Sequence, residues 1–297
     1  MSAARDWAEL LRVPALFTVP GDALAGAVAG GGRPRTRTLG AVAASLCLYA
    51  AGMALNDWAD REEDARERPG RPLPSGRIRP GAALAAAAGL TAAGLGCAAL
   101  AGRRTAAVAV PLAATVWAYD LHLKHTPLGP PAMGAARALD LLMGAASTGA
   151  PVRALPSALA VGAHTCAVTV VSRHETRGGA VRPSVAALAV TAAVTAGLVR
   201  SAARTRAGDE GGPSRRGRGR PTSLAAAAFA VTSARPLLHA VLNPSPQLTQ
   251  RAVGGGIRAL VPLQAALAAR AGAPATALLT AALAPVARRL GRKVSLT

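Results

Sequence analysis

Long runs of Ala, Val, Leu and Gly alternate along this chain with short stretches that hold nearly all of its charged residues. A helix needs about 20 mostly apolar residues to cross the hydrocarbon core of a bilayer. Backbone polar groups cannot stay unsatisfied in lipid, so each such run is expected to be helical despite its Gly and Pro content. On this basis the spans fall near 13–30, 38–57, 81–101, 105–121, 128–150, 154–172, 184–199, 221–242, 252–269 and 271–287. The pattern predicts an all-α, polytopic transmembrane bundle of about nine to ten helices, folded as one domain. The run from Gly81 to Ala101 has no polar stripe, which argues against a soluble Ala-rich helical protein. Small residues at this density predict close helix–helix approach.

Charge changes the picture only at the loops. The 297 residues carry a formal net charge of +20, which first suggests nucleic acid. The arginines, however, sit between uncharged runs, and an aromatic content of 2% is too low for a base-stacking platform. No nucleic-acid partner is expected; the partner is membrane lipid. Cys47, Cys97 and Cys166 lie singly in apolar runs, without metal or redox spacing. The start MSAARDWAELLRVP has no convincing cleavable signal, so the helices themselves are expected to direct insertion. The basic loop holding Arg61, Arg66, Arg68, Arg71, Arg77 and Arg79 is placed in the cytoplasm. Alternating crossings bring Lys124, the region 173–182 and the terminal Arg288, Arg289, Arg292 and Lys293 to the same side. They also put the seven arginines of 200–220 outside, against the charge rule. That Gly- and Arg-rich stretch reads as a disordered connector.

Chemistry concentrates in ALNDWADREEDARERPGRPLPSGRI, residues 54–78. Asp57, Asp60 and Asp64 are spaced i, i+3 and i+7, which lines them along one helix face. Their carboxylates suit magnesium, a hard cation that commonly bridges a few carboxylates to phosphate oxygens. Arg66, Arg68, Arg71 and Arg77 suit bidentate contacts to phosphate. The competing reading is a solvated helix end of mixed charge.

NDxxDxxxD followed by RPxRPxPSGRI resembles the first signature of the UbiA superfamily of intramembrane prenyltransferases. YDLHLKHTPLGPPAMGAARALDLLMGAAS (119–147) resembles that family's Tyr and Lys region, and LLRVPALFTVPGDALAG its first helix. Together these blocks cover most of residues 10–180 in the family's order. The resemblance implies a central cavity opening sideways to lipid, and magnesium-assisted ionisation of a prenyl diphosphate, with the chain passed to a small acceptor. Carried over by position, Asn56, Asp57, Asp60 and Asp64 match the metal motif, while Tyr119 and Lys124 match residues near the diphosphate.

The family's second aspartate motif is altered. Residues 171–179 read VSRHETRGG, with Glu175 as the only carboxylate. Arg173 and Arg177 are candidates to replace a second cation as fixed charges. This stretch, with the PSGRI and MGAARALDLLMG blocks, looks most like the EboC-like branch, for which export of a secondary-metabolite precursor has been proposed. Two readings therefore stand: a prenyltransferase of the cell membrane, and a carrier that binds or exports a lipid-like precursor. Asp22, an acid inside the first span, is a candidate for the cavity wall or a satisfied helix-start residue. Arg137 and Asp140, at i and i+3, are expected to pair, with cavity lining as the second possibility. His164 is expected to be a satisfied core residue.

Overall fold

The computed structural model describes residues 3–16, 18–176, 178–207 and 219–283, all of it helix, turn and loop. Twelve helical elements follow one another: α1 (Ala3–Leu10), α2 (Val13–Leu16), α3 (Pro20–Ala29), α4 (Thr36–Ala59), α5 (Arg61–Glu67), α6 (Pro80–Ala101), α7 (Arg103–Ala118), α8 (Gly129–Ala146), α9 (Leu155–Ser172), α10 (Val181–Ala207), α11 (Gly219–Leu242) and α12 (Pro246–Arg270). A π-helical turn, Tyr119–Leu123, extends α7, and a shorter apolar helix, Pro274–Leu283, follows α12. Proline opens α3, α6, α8 and α12, where its missing N–H costs no hydrogen bond. Gly102, at φ +139°, separates α6 from α7.

Seven of these helices are long and apolar enough to cross a membrane, and the chain is a multi-pass membrane protein. Leu100, Leu224, Leu242 and Leu278 point outward, each at least 71% exposed, as lipid-facing side chains do. The expected span 13–30 is two short helices, α2 and α3. The span at 252–269 belongs to α12, the innermost of the seven, with 78% of its apolar window buried. Hydropathy alone does not separate such a helix from one facing lipid. Of the connector expected at 200–220, residues 200–207 continue α10 and Gly219–Arg220 open α11; 208–218 lie outside the described residues, as do 284–297 with their four basic side chains.

α4 packs on α6, α3 and α8 pack together, α8 also packs on α7 and α9, and α12 closes the ring against α3, α9 and α11. Glycine lets these helices touch backbone to backbone. A Cβ on Gly26 would run into the Leu141 carbonyl, and one on Gly144 into the Ala23 carbonyl, so α3 and α8 meet through small residues on both sides. Gly134 and Gly162 do the same for α8 and α9.

The two ends of the bundle differ. Asp60, Lys124 and Arg173 gather at one end, and Gly179 donates to the Pro244 carbonyl there at 2.7 Å. At the other end Arg104 reaches the Gly149 carbonyl at 3.3 Å and Arg270 the Ser157 hydroxyl at 2.7 Å. Alternation brings the C-terminal end of α10 to this second end of the bundle, where Arg103, Arg104 and Arg270 also lie. Basic residues therefore flank both sides, and the charge rule by itself does not orient the chain.

Candidate functional site

A cavity of about 260 Å³ lies between α4, α7 and α8. Each helix gives it one stripe: Ser45, Leu48, Tyr49, Gly52, Met53 and Asn56 from α4; Leu112, Val116 and Tyr119 from α7 and its π turn; Met133, Ala136, Arg137 and Asp140 from α8. These spacings of three and four residues are those of one helical face. The wall is apolar at mid-length and polar at its two ends. A second, polar pocket of about 330 Å³ adjoins the loop end, lined among others by Asp60, Glu63, Arg66, Lys124 and His125. Asp120 borders both.

The aspartates stand where α4 gives way to α5. Asp60 occupies the junction, its N–H still bonded to the Asn56 carbonyl at 2.9 Å, and the Asp64 N–H reaches the Asp60 carbonyl at 2.8 Å. The turn is nearly continuous, yet the three carboxylates divide. Asp57 and Asp64, 5% and 4% exposed, share Arg71, whose Nη1 is 3.6 Å from one and 2.6 Å from the other. Arg12 adds a contact to Asp57 at 3.2 Å, and Arg68 one to Asp64 at 3.9 Å. Asp60 turns the other way, to Lys124, with His125 at 3.9 Å. Oxygens and nitrogen of Asp60, Glu63 and His125 lie within 4.8 Å of one another.

Hard oxygen donors predominate: two buried carboxylates balanced by arginines, and Asp60 balanced by Lys124. Such a set fits magnesium. Buried carboxylates need compensating charge, and here the compensation comes from side chains at loops and helix ends.

The remaining expected residues separate into groups. Asn56 and Tyr119 line the cavity. Arg66 borders the outer pocket, where its Nε donates to the Glu62 carbonyl at 3.3 Å. Arg173 donates to the Lys124 carbonyl at 3.4 Å, joining the altered second motif to the Lys region. Burial raises the Glu175 carboxyl above its ordinary value, against the opposing pull of Arg68. Arg77 is not brought to the cluster; it binds Asp6 at 2.5 Å, Glu9 at 2.9 and 3.3 Å and the Gly70 carbonyl at 2.7 Å, tying α1 to the loop. Arg177 lies outside the described residues.

Asp22 is fully buried on α3, where Gln264 Nε2 donates to Oδ1 at 2.8 Å and Arg137 Nη1 stands 3.1 Å from Oδ2. The expected pairing of Arg137 with Asp140 is thus corrected: Arg137 reaches across to α3, and Asp140 accepts instead from the Ser45 hydroxyl at 2.7 Å. The α3–α8 contact brings Asp22 nearer than sequence spacing foretells. His164 is a satisfied core residue, its Nε2 2.9 Å from the Gly256 carbonyl and its ring edge-on to Phe229.

Arg12, Ser45, Asp120 and Gln264 escaped sequence reasoning. Arg12 is the one non-glycine residue with positive φ (48°) among the described residues, a strain common at functional positions. Asp120 had a signal, the i, i+4 spacing to Lys124. It also continues the cavity stripe of Leu112 and Val116 at four-residue spacing, and it falls within a π segment, a feature frequent at functional sites.

Comparison with known proteins agrees with this architecture. A UbiA homologue from Archaeoglobus fulgidus bound to GPP and Mg2+ superposes with a TM-score of 0.64 at 15% identity, over 95% of this chain and 99% of that one. A UbiA homologue from Aeropyrum pernix superposes with a TM-score of 0.59 at 20% identity, over 82% and 96%. A digeranylgeranylglyceryl phosphate synthase from Methanopyrus kandleri is 39% identical over 87 residues, 29% of this chain. The match spans 31% of that relative's length. The UbiA prenyltransferase family model matches residues 16–203, well over half of the chain, and the protein belongs to that family.

Proposed function

We propose that this protein transfers a prenyl group from a prenyl diphosphate to a small acceptor, within the cell membrane and with magnesium. One observation carries the reading: a buried carboxylate pair flanked by partly exposed arginines stands at the loop end of a cavity whose mid-section is apolar. Asp57, Asp60 and Asp64 would hold the metal, which supplies charge neutralisation for a departing diphosphate. Arg12, Arg68, Arg71 and Lys124 already lie against those carboxylates and offer donors to phosphate oxygens. Arg173 and Glu175 border the same end. In the transfer, the C1–O bond to diphosphate breaks, the acceptor's nucleophilic atom bonds to C1, and the acceptor loses a proton. Asp120, common to the cavity and the outer pocket, would receive it. The apolar mid-section of the cavity keeps water from the electron-poor carbon.

The relatives support this. The Archaeoglobus homologue was captured with GPP, and again with DMAPP, together with Mg2+. A second reading, an EboC-like carrier of a lipid-like secondary-metabolite precursor, is favoured by the altered motif, where Glu175 is the only carboxylate. Purified protein supplied with DMAPP or GPP and magnesium should release pyrophosphate, and Asp60→Asn should abolish release. Absence of release from every prenyl diphosphate overturns the transferase; precursor binding or export that persists in Asp60→Asn favours the carrier.

A further inference from the structure

The polar inner end of the cavity lies away from the carboxylates proposed to hold the diphosphate's metal. It lies at Ser45, Arg137 and Asp140, whereas Asn56 marks the loop end. Eleven residues of α4 separate Ser45 from Asn56, a rise of about 16 Å. The inner groups hold one another from four helices: Arg137 is fixed by Asp22, Asp22 by Gln264, and Asp140 by Ser45. Asp140 is 6% exposed, and its Oδ1 has no hydrogen-bond partner; neither has Arg137 Nε. Both residues line the cavity. An acceptor oxygen and an N–H donor, both buried and unpartnered, therefore belong to side chains that line the inner end of the cavity.

A hydrocarbon tail seated there would leave both groups unsatisfied. An anionic head would add to two carboxylates, Asp22 and Asp140, that face a single guanidinium. A hydroxyl answers both needs, because it donates to Asp140 Oδ1 and accepts from Arg137 Nε. We infer that the inner end of the cavity is a recognition subsite for the uncharged, hydroxyl-bearing part of the acceptor. This inference rests on the cavity being the transfer chamber. It assigns the acceptor's chemical class: neutral and hydrogen-bond-donating at its far end, with its nucleophilic atom toward Asn56 and the aspartates. Asp140 is here a binding residue, remote from the bond that breaks.

Three ring probes of similar size separate the possibilities: resorcinol with two hydroxyls, 1,3-dimethoxybenzene with none to donate, and 3-hydroxybenzoate with a carboxylate in place of one. Equilibrium dialysis against the full chain in nanodiscs, corrected with empty discs, should give the tightest binding for resorcinol. The dimethoxy and carboxylate probes should each bind at least about tenfold more weakly, because a site built for a hydroxyl rejects its isosteres. Asp140→Leu should weaken resorcinol about tenfold or more while leaving 1,3-dimethoxybenzene unchanged. Asp140→Asn removes one negative charge and should narrow the gap between resorcinol and 3-hydroxybenzoate. Equal binding of the three probes by the unsubstituted protein overturns the subsite, even if a variant does not fold. So does resorcinol binding that ignores Asp140→Leu.

Pyrophosphate release from DMAPP or GPP is measured alongside. Selective resorcinol binding without release retains the subsite and removes prenyl transfer; release without selectivity does the reverse.

Discussion

The two polar ends of the cavity answer the same problem, buried carboxylates in a membrane protein, with opposite materials. At the loop end, Asp57 and Asp64 are balanced by Arg12, Arg68 and Arg71, whose side chains are 41%, 54% and 25% exposed. At the inner end, fully buried Asp22 is balanced by Arg137, 13% exposed, and by Gln264. The first set sits on loops and helix ends, so on the proposed function a metal ion could replace the arginines on the carboxylates while they turn to phosphate oxygens. The second sits on α3, α8 and α12 and has nowhere to go. One end is arranged for turnover of charge, the other for a fixed shape.

The largest expected effect tests that contrast directly. Arg137→Met strands Asp22 as an unpaired buried acid and should cost about 3–5 kcal/mol in denaturant unfolding of the detergent-solubilised protein. Arg71→Met leaves Arg12 on Asp57 and Arg68 on Asp64, so its loss should be near 1 kcal/mol. Equal losses would dissolve the distinction. The pair Asp22→Leu/Arg137→Met should recover most of the stability, since an apolar replacement of a buried ion pair is often neutral.

Next in size is a catalytic effect confined to the other end. Asp57→Asn should lower pyrophosphate release about 100- to 1000-fold, the range for removing one group that stabilises transition-state charge. Its unfolding midpoint should stay close to that of the unsubstituted protein. A loss of fold with activity would place Asp57 among the structural acids instead.

Gly26→Ala acts on the contact between the helices that carry the inner cluster. Its Cβ would press on the Leu141 carbonyl, on the helix that also bears Arg137 and Asp140. About 1–3 kcal/mol of stability should be lost. Resorcinol binding should weaken more than magnesium-dependent release, which depends on the far end of α4.

These contrasts were only half legible in the sequence. The spans are visible because lipid demands long uncharged runs, and the aspartates because a short motif holds them together. The partners are not visible. Arg71 lies seven residues from Asp64 and can be guessed, whereas Gln264 meets Asp22 across 242 residues. Arg137 invited a local partner at i+3 and took a distant one through a glycine contact that periodicity cannot register. Asp120, by contrast, was open to reading, because Leu112, Val116 and Asp120 follow one another at four-residue spacing along one helical face.

Glu175 gives the smallest effect and bears on the loop end alone. Burial raises its carboxyl above the ordinary value of 4.5, with Arg68 opposing the shift. The folded state therefore binds a proton more readily than the unfolded chain does. Stability on this account is greatest below pH 4.5 and falls as pH climbs from there through the raised folded value. Glu175→Gln should flatten that decline by a fraction of a kcal/mol, since the group is only half-buried. Arg68→Met should steepen it, because the opposing charge is gone. Unfolding midpoints of the three proteins at pH 4, 6 and 8 check both signs. If Glu175→Gln left the pH slope unchanged, the carboxylate would be fully solvated, and the second motif would contribute an ordinary surface charge at the cavity's mouth.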